Sequence, residues 1–224
     1  MFNDKYSLTQ AVLKGRKTMT RRMVTDKKLH YWISTCPNMV IVRVPDSAKI
    51  YTDDDNIYFG IKEKTSDNYY CDTITSPYKT GEVVAIAQSY MGLGYDPDSL
   101  ERDPKDLGIC GFMKHSAGWK NKMFVRADAC KKHIKITDIR IERMQDISDD
   151  DCLKEGIVKQ GVLSDDSPFL YAYDAYLNSS QGYFASKWFK TPREAFAALI
   201  DKVSGKGTWE SNPFVWAYEF ELVD

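Results

Sequence analysis

Lys17 and Thr20 are the two residues of this sequence best suited to do chemistry. A threonine hydroxyl attacks a carbonyl only after a base removes its proton, and a lysine can be that base if its pKa falls. Burial lowers the pKa of a lysine, and so do neighbouring cations such as Arg21 and Arg22. Residues three apart share one face of a helix but lie on opposite faces of a straight strand. The pair therefore predicts a catalytic site only if the chain bends after Gly15.

The stretch that carries this pair, residues 13–22, holds five cations, two threonines and one glycine. A helix end is ordinarily complemented by one or two basic residues. The excess predicts a site for an anionic group, and we assign phosphate binding to Arg16, Arg21 and Arg22. The alternative is that these cations are solvated and that the two threonines simply suit a strand.

Glu155 is an acid in an unfavourable place. The sequence predicts a short helix over residues 148–156, with Ser148 as its cap, aspartates in its first turn and Gly156 at its end. Acids suit the first turn of a helix but not its C-terminal end. Glu155 is therefore a candidate for a role other than stabilising its own helix, with a solvated surface acid as the alternative.

A second candidate surface lies around Trp119, Lys120 and Lys122. An aromatic side chain among cations is the composition that stacks bases and holds phosphates. The alternative is that the tryptophan pins a loop onto the core.

The composition describes a globular protein of 224 residues, 43% hydrophobic and 28% charged, with a net charge of −1. This balance excludes a uniformly basic nucleic-acid binder but allows a basic face, because residues 14–28 carry seven Lys or Arg against one acid. Five scattered cysteines favour reduced thiols and a cytoplasmic location. We expect no secretory leader, no membrane span, no metal site and no cofactor.

The hydrophobic pattern predicts one α+β domain over residues 1–224, with mostly antiparallel strands. Two insertions are expected, at about 45–75 and 157–190. The second is rich in aromatic residues, which leaves open a role in docking a protein partner. The main predicted elements are a helix over 8–14 capped by Ser7, strands at 39–44 and 57–62, a buried central strand over 83–90, a strand over 133–143, a helix beginning at Thr191, and a half-buried closing strand over 214–222.

The strand over 133–143 changes phase. Ile134 and Ile136 share one parity, whereas Ile139 and Ile141 share the other. One extra residue near 137–138 would return all four side chains to one face, so the sequence predicts a β-bulge there.

Four segments in this order resemble the ASCH family of the PUA-like superfamily. They are residues 13–22 (LKGRKTMTRR), 77–84 (PYKTGEVV), the strand and helix over 136–156, and a closing segment over 205–216 (GKGTWESNPFVW). The last is similar to longer members, often phage- or prophage-borne. The resemblance implies a β-barrel with flanking helices and a cleft at the first helix end that receives RNA or a nucleotide.

One branch of the family hydrolyses N4-acetylcytidine to cytidine. The resemblance implies that the catalytic Lys, Thr and Glu of that branch fall on Lys17, Thr20 and Glu155, and a further Arg on Arg22. Three readings remain open: an RNA- or nucleotide-binding protein with a cationic cleft at residues 15–22, an amidohydrolase acting on an N4-acylated cytosine, and a protein-interaction module. The sequence predicts no oligomeric state.

Overall fold

The structure, a computed structural model, describes residues 2–36, 38–45, 57–65, 69–100, 111–160, 170–173 and 188–223. The strands are β1 (Met19–Met23), β2 (Met39–Arg43), β3 (Tyr58–Glu63), β4 (Tyr69–Thr75), β5 (Val83–Ala85), β6 (His133–Arg143), β7 (Ile157–Gln160), β8 (Leu170–Tyr173) and β9 (Phe214–Val223). The α-helices are α1 (Leu8–Leu13), α2 (Lys27–Thr35), α3 (Asp149–Lys154), α4 (Pro192–Ser204) and α5 (Thr208–Ser211).

Every strand pairing among the described residues is antiparallel. One sheet has the order β1-β9-β6-β5, a second has the order β2-β3-β4, and β7 pairs with β8. The strands curl into a half-barrel, and the helices are few. The predicted α+β class with mostly antiparallel strands is confirmed.

Strand β9 lies inside the first sheet and is buried on both faces over most of its length. Phe214, Trp216, Tyr218 and Phe220 point into the main core, which β2, β3 and β4 close from the other side. Val215, on the opposite face, packs into a second core beneath α4. The prediction of a closing strand is confirmed, but its expected half-burial was wrong, because helices cover its outer face.

The central strand predicted over 83–90 was wrong. Only Val83–Ala85 is a strand, and it pairs at the edge of the sheet with β6. The apolar residues that follow serve other contacts. Ile86 enters the main core, whereas Tyr90 packs with Leu93 and Met113 in a small separate cluster.

The predicted β-bulge in β6 is confirmed. Ile136 pairs with Phe220, but the next pair is Asp138 with Glu219, so Thr137 is the extra residue. The four isoleucines thereby share the inner face. The same shift turns Arg140 and Glu142 to the outer face, toward the helices, because they pair with Ala217 and Val215.

Helices α1, α3 and α4 form where the sequence predicts them. Thr191 caps α4 by accepting a bond from the backbone N–H of Glu194, and Ser148 caps α3 in the same way from Asp151. The predicted cap of α1 was wrong. Ser7 adopts a left-handed conformation (φ 57°) and its side chain makes no capping bond.

The two predicted insertions contribute strands. Within the first, Phe59, Ile61 and Ile74 of β3 and β4 belong to the main core. Within the second, Tyr171 and Phe189 pack against the second core. Residues 46–56, 66–68, 161–169 and 174–187 lie outside the described residues, and with them three of the aromatic residues of the second insertion, namely Phe169, Tyr176 and Tyr183. No described helix is long and apolar enough to cross a membrane.

Candidate active site

The chain bends after Gly15 and the bend positions Lys17, but it does not place Lys17 on the face of β1 that carries Thr20. Gly15 has a left-handed backbone (φ 68°), which ends α1. The N–H groups of both Arg16 and Lys17 then bond the carbonyl of Ala11, at 2.9 and 3.1 Å. The N–H of Thr18 bonds the carbonyl of Lys154, at 2.8 Å. The chain at Lys17 is therefore fixed between the C-terminal ends of α1 and α3.

Lys17 and Glu155 form a buried ion pair. Lys17 Nζ donates to Glu155 Oε2 at 2.5 Å and to the Glu155 carbonyl at 2.9 Å. Both residues are almost fully buried, at 2% and 3% exposed. Gly156 follows Glu155 with a φ of +100°, a backbone conformation that is strained for other residues.

Burial lowers the pKa of Lys17, and the positive charges of Arg22 and Arg21 lower it further, while the carboxylate of Glu155 opposes them. The net direction is downward, because the desolvation of a fully buried ammonium is the largest effect. Lys17 therefore releases its proton more readily than a lysine in water, as a catalytic base requires.

Arg21 lies beside this pair, and its side chain is fully buried. Its Nη1 donates to Glu155 Oε1 at 3.2 Å, and its Nη2 donates to Glu142 at 2.6 Å and to Asp151 at 3.0 Å. Burial alone would lower the pKa of Arg21, but these carboxylates raise it above its ordinary value. The predicted phosphate ligand thus donates to three protein carboxylates, and this geometry does not favour a phosphate contact.

The three carboxylates reach Arg21 across the outer face of the sheet. Arg21, Ala217 and Arg140 lie side by side on β1, β9 and β6. The side chain of Ala217 is buried and short, so Asp151 of α3 fits between the guanidinium groups of Arg21 and Arg140. Lys17, Arg21 and Arg140 face Glu142, Asp151 and Glu155, so this group of six is balanced in charge.

A cavity of about 480 Å³ opens at the Lys17–Glu155 pair. Its polar wall includes Lys17, Thr20, Arg21, Arg22, Lys122 and Glu155. Its apolar wall includes Leu8, Met144 and four residues of α4, namely Phe196, Leu199, Ile200 and Val203. Small-molecule sites commonly have about 300–1,000 Å³ and mostly apolar walls with a few polar groups, so the cavity suits a small organic ligand.

Thr20 reaches this cavity from the other face of β1. It pairs with Tyr218 across the sheet, and alternate residues of a strand point to opposite faces. Thr20 and Arg22 therefore share the inner face, whereas Arg21 lies on the outer face with Lys17 and Glu155. No described strand pairs with the outer edge of β1, and both faces meet the cavity there.

The remaining predicted ligand residues are dispersed. Trp119 is half-buried against the small cluster of Tyr90, Leu93 and Met113, which agrees with the loop-pinning alternative. Lys120 is exposed and Arg16 is half-buried, and neither lines the cavity. Lys122 does line it, but its Nζ donates to Asp4 Oδ1 at 2.8 Å and to the carbonyl of Phe2 at 2.5 Å.

Sequence reasoning missed Glu142, Asp151 and Arg140. The predicted bulge carried a signal for Arg140 and Glu142, since it turns both to the helix side of β6. The sequence carried no signal that Asp151 belongs to the site, because an aspartate in the first turn of a helix is already explained by the helix dipole.

No family model, curated protein or solved structure matches this chain. Among the described residues, no group of three or more His, Cys, Asp or Glu is arranged to hold a metal ion.

Proposed function

We propose that this chain is an ASCH-family amidohydrolase that removes the acyl group from an N4-acylated cytosine nucleoside. The observation that carries the proposal is the buried Lys17–Glu155 pair, at 2.5 Å, in the wall of a cavity that Thr20 and Arg22 also line. These are the four positions that the resemblance to the family implies.

The cavity walls fit such a substrate better than they fit a polyanion. An acylated cytosine is flat and neutral, and the apolar residues of α4 offer a surface for its acyl group. The buried cations contribute little net charge, because Lys17 and Arg21 each face carboxylates at 2.5 to 3.2 Å. A small neutral molecule requires shape and a few polar contacts rather than a field of positive charge.

In the proposed reaction, Lys17 takes the proton of the Thr20 hydroxyl while Oγ1 forms a bond to the acyl carbon. The proton then passes through Glu155 to the N4 nitrogen as the C–N bond breaks, so cytidine leaves with a neutral amine. Arg22 stabilises the charge that develops on the acyl oxygen. Water then attacks the acyl-threonine by the same proton route and releases the carboxylic acid.

The proposed reaction requires a proton to pass between the two faces of β1. Thr20 and Lys17 approach the cavity from opposite sides of the strand, so the proton crosses the strand edge through a bridging water or through the substrate. The substrate would therefore lie across the outer edge of β1, beside Met23.

The test is whether the protein releases cytidine and acetate from N4-acetylcytidine, with both products measured by chromatography. We expect Lys17→Met, Thr20→Val and Glu155→Gln each to lower kcat/KM by at least about a hundredfold. The matched controls are Lys14→Met, Thr18→Val and Asp150→Asn, none of which lines the cavity. Turnover that survives the first three substitutions, or its absence from the wild-type protein on any N4-acylcytosine, would contradict the proposal.

Nucleotide or RNA binding without chemistry is the second candidate. The observation in its favour is Arg22, which is exposed and lines the cavity on the same strand face as Thr20. In that case the affinity for single-stranded RNA falls steeply with salt, because phosphate contacts release counterions. Arg22→Met should weaken binding and flatten the salt dependence, whereas Lys14→Met should do neither.

A further inference from the structure

The carboxylate of Glu155 is divided between two cations. Its Oε2 accepts from Lys17 at 2.5 Å and its Oε1 accepts from Arg21 Nη1 at 3.2 Å. Arg21 is itself anchored elsewhere, because its Nε and Nη2 both donate to Glu142 Oε1, at 3.0 and 2.6 Å. Glu155 is thus bonded on one side by a guanidinium group whose position is also fixed by Glu142.

We propose that Arg21 is a positioning residue of this site: it holds Glu155 so that only one carboxylate oxygen is offered to Lys17, and it thereby sets how readily Lys17 releases its proton. This inference rests on the proposed function, in which Lys17 is the base. It also gives Arg21 a role other than the phosphate binding that the sequence suggested.

Without Arg21, Glu155 would offer both of its oxygens and its whole charge to Lys17. A carboxylate whose negative charge is not shared with a second cation holds the proton of an ammonium more firmly. The guanidinium occupies one oxygen and places a second positive charge beside the ammonium. Both effects favour the neutral amine of Lys17. The charged or titratable groups around the pair are Arg21 and Arg22 from β1, Asp151 and Cys152 from α3, and Asp4 and Lys122 in the cavity wall. Glu142 and Arg140 of β6 lie one contact further away, since they bond Arg21 and Asp151.

Arg21 acts through Glu155 rather than on the substrate. Its side chain is fully buried, and Nη1, which reaches Glu155, also contacts the sulfur of Met19 at 3.2 Å. Its remaining nitrogens face Glu142 and Asp151. Arg22 differs, since it is exposed and reaches the cavity from the other face of β1.

The first arm of the test is a pH titration of Lys17 in the free protein. The NMR signal of the 13Cε atom of labelled lysine reports its protonation. Arg21→Met is combined with Glu142→Gln, so that fewer carboxylates lose their partner, and Arg21→Lys is the second variant. We expect the pKa of Lys17 to rise by about one unit in the first and about half a unit in the second. The matched control is Arg140→Met, since Arg140 bonds Asp151 at 3.1 Å and makes no described bond to Glu155.

An unchanged Lys17 titration in folded Arg21→Lys, or an equal shift in Arg140→Met, would overturn the inference. A rise in the Arg21 variants alone supports it. Because no substrate is present, this arm decides the role of Arg21 even if the proposed hydrolysis fails.

The second arm uses turnover of N4-acetylcytidine. Since Lys17 must lose its proton to act, the acidic limb of the kcat/KM profile should move to higher pH by the same shift that the titration shows. At neutral pH, kcat falls about tenfold for each unit while KM changes little. A uniform loss of rate with an unmoved pH limb would indicate a merely structural role and would count against the inference.

Discussion

Arg21 and Arg140 donate to the same oxygen, Oδ2 of Asp151, at 3.0 and 3.1 Å from opposite sides of Ala217. Two guanidinium groups on strands that are not neighbours can share one acceptor only if the residue between them is short. Ala217 therefore sets the distance between α3 and the sheet, and with it the position of Glu155 at the end of α3.

Enlarging this residue should disturb the site from a distance. Ala217→Leu inserts three carbons at a position that is 1% exposed, so we expect the free energy of unfolding to fall by about 1–3 kcal/mol. Asp151 should be pushed away, and the proposed hydrolysis should fall with it. Urea unfolding and the cytidine assay measure the two effects. Ala197→Leu, at a half-exposed position of α4, is the control, and equal losses in both variants would contradict the role given to Ala217.

Breaking the Lys17–Glu155 pair should cost stability as well as activity. Removing one partner of a buried ion pair costs about 3–5 kcal/mol, because the other charge stays buried. For Lys17→Met we expect the lower end of this range, since Arg21 still binds Glu155 Oε1. The double variant Lys17→Met/Glu155→Gln should recover part of the loss in urea unfolding. Additive losses would show that the two side chains do not interact.

The sequence predicted the individual parts of this site better than their arrangement. Lys17 and Glu155 were each singled out by a local irregularity in the sequence. For Lys17 it was an excess of cations, and for Glu155 it was an acid at the C-terminal end of a helix. Their contact joins residues 138 positions apart, which no local pattern encodes. The assignment of Arg21 as a phosphate ligand followed from the cations nearby in sequence, whereas its real partners come from β6 and α3.

Elements with a strong period were predicted correctly, and the exceptions have physical causes. The stripe of α4 and the phase change in β6 are properties of short windows, so the sequence is sufficient for them. The run over 83–90 was misread because a mostly apolar run fits a central strand as well as a chain that leaves the sheet to build a separate cluster around Tyr90.

The bulge at Thr137 offers a direct test of this register. Deleting Thr137 would move Ile134 and Ile136 to the outer face or force Arg140 and Glu142 inward. Either result removes large buried side chains from a core, so we expect a loss of more than about 4 kcal/mol, or no folded protein. Thr137→Ala keeps the length of the strand and should cost less than about 1 kcal/mol in urea unfolding. A deletion variant of normal stability would show that the extra residue has no structural role.

Because Cys152 is buried, we expect the free energy of unfolding to fall at alkaline pH. Its side chain is fully buried beneath α4, and burial raises the pKa of its thiol from 9.0 to about 12. Between these values the unfolded chain has lost the thiol proton while the folded chain keeps it. The free energy of unfolding therefore falls as the pH rises through this window, by up to about 1.4 kcal/mol per unit. Urea unfolding of the wild type and of Cys152→Ala from pH 8 to 10.5 measures this fall, and the variant should show the shallower decline.

Iodoacetamide at pH 8.5 gives an independent check, since the half-exposed Cys36 should react in the folded protein and Cys152 only after unfolding.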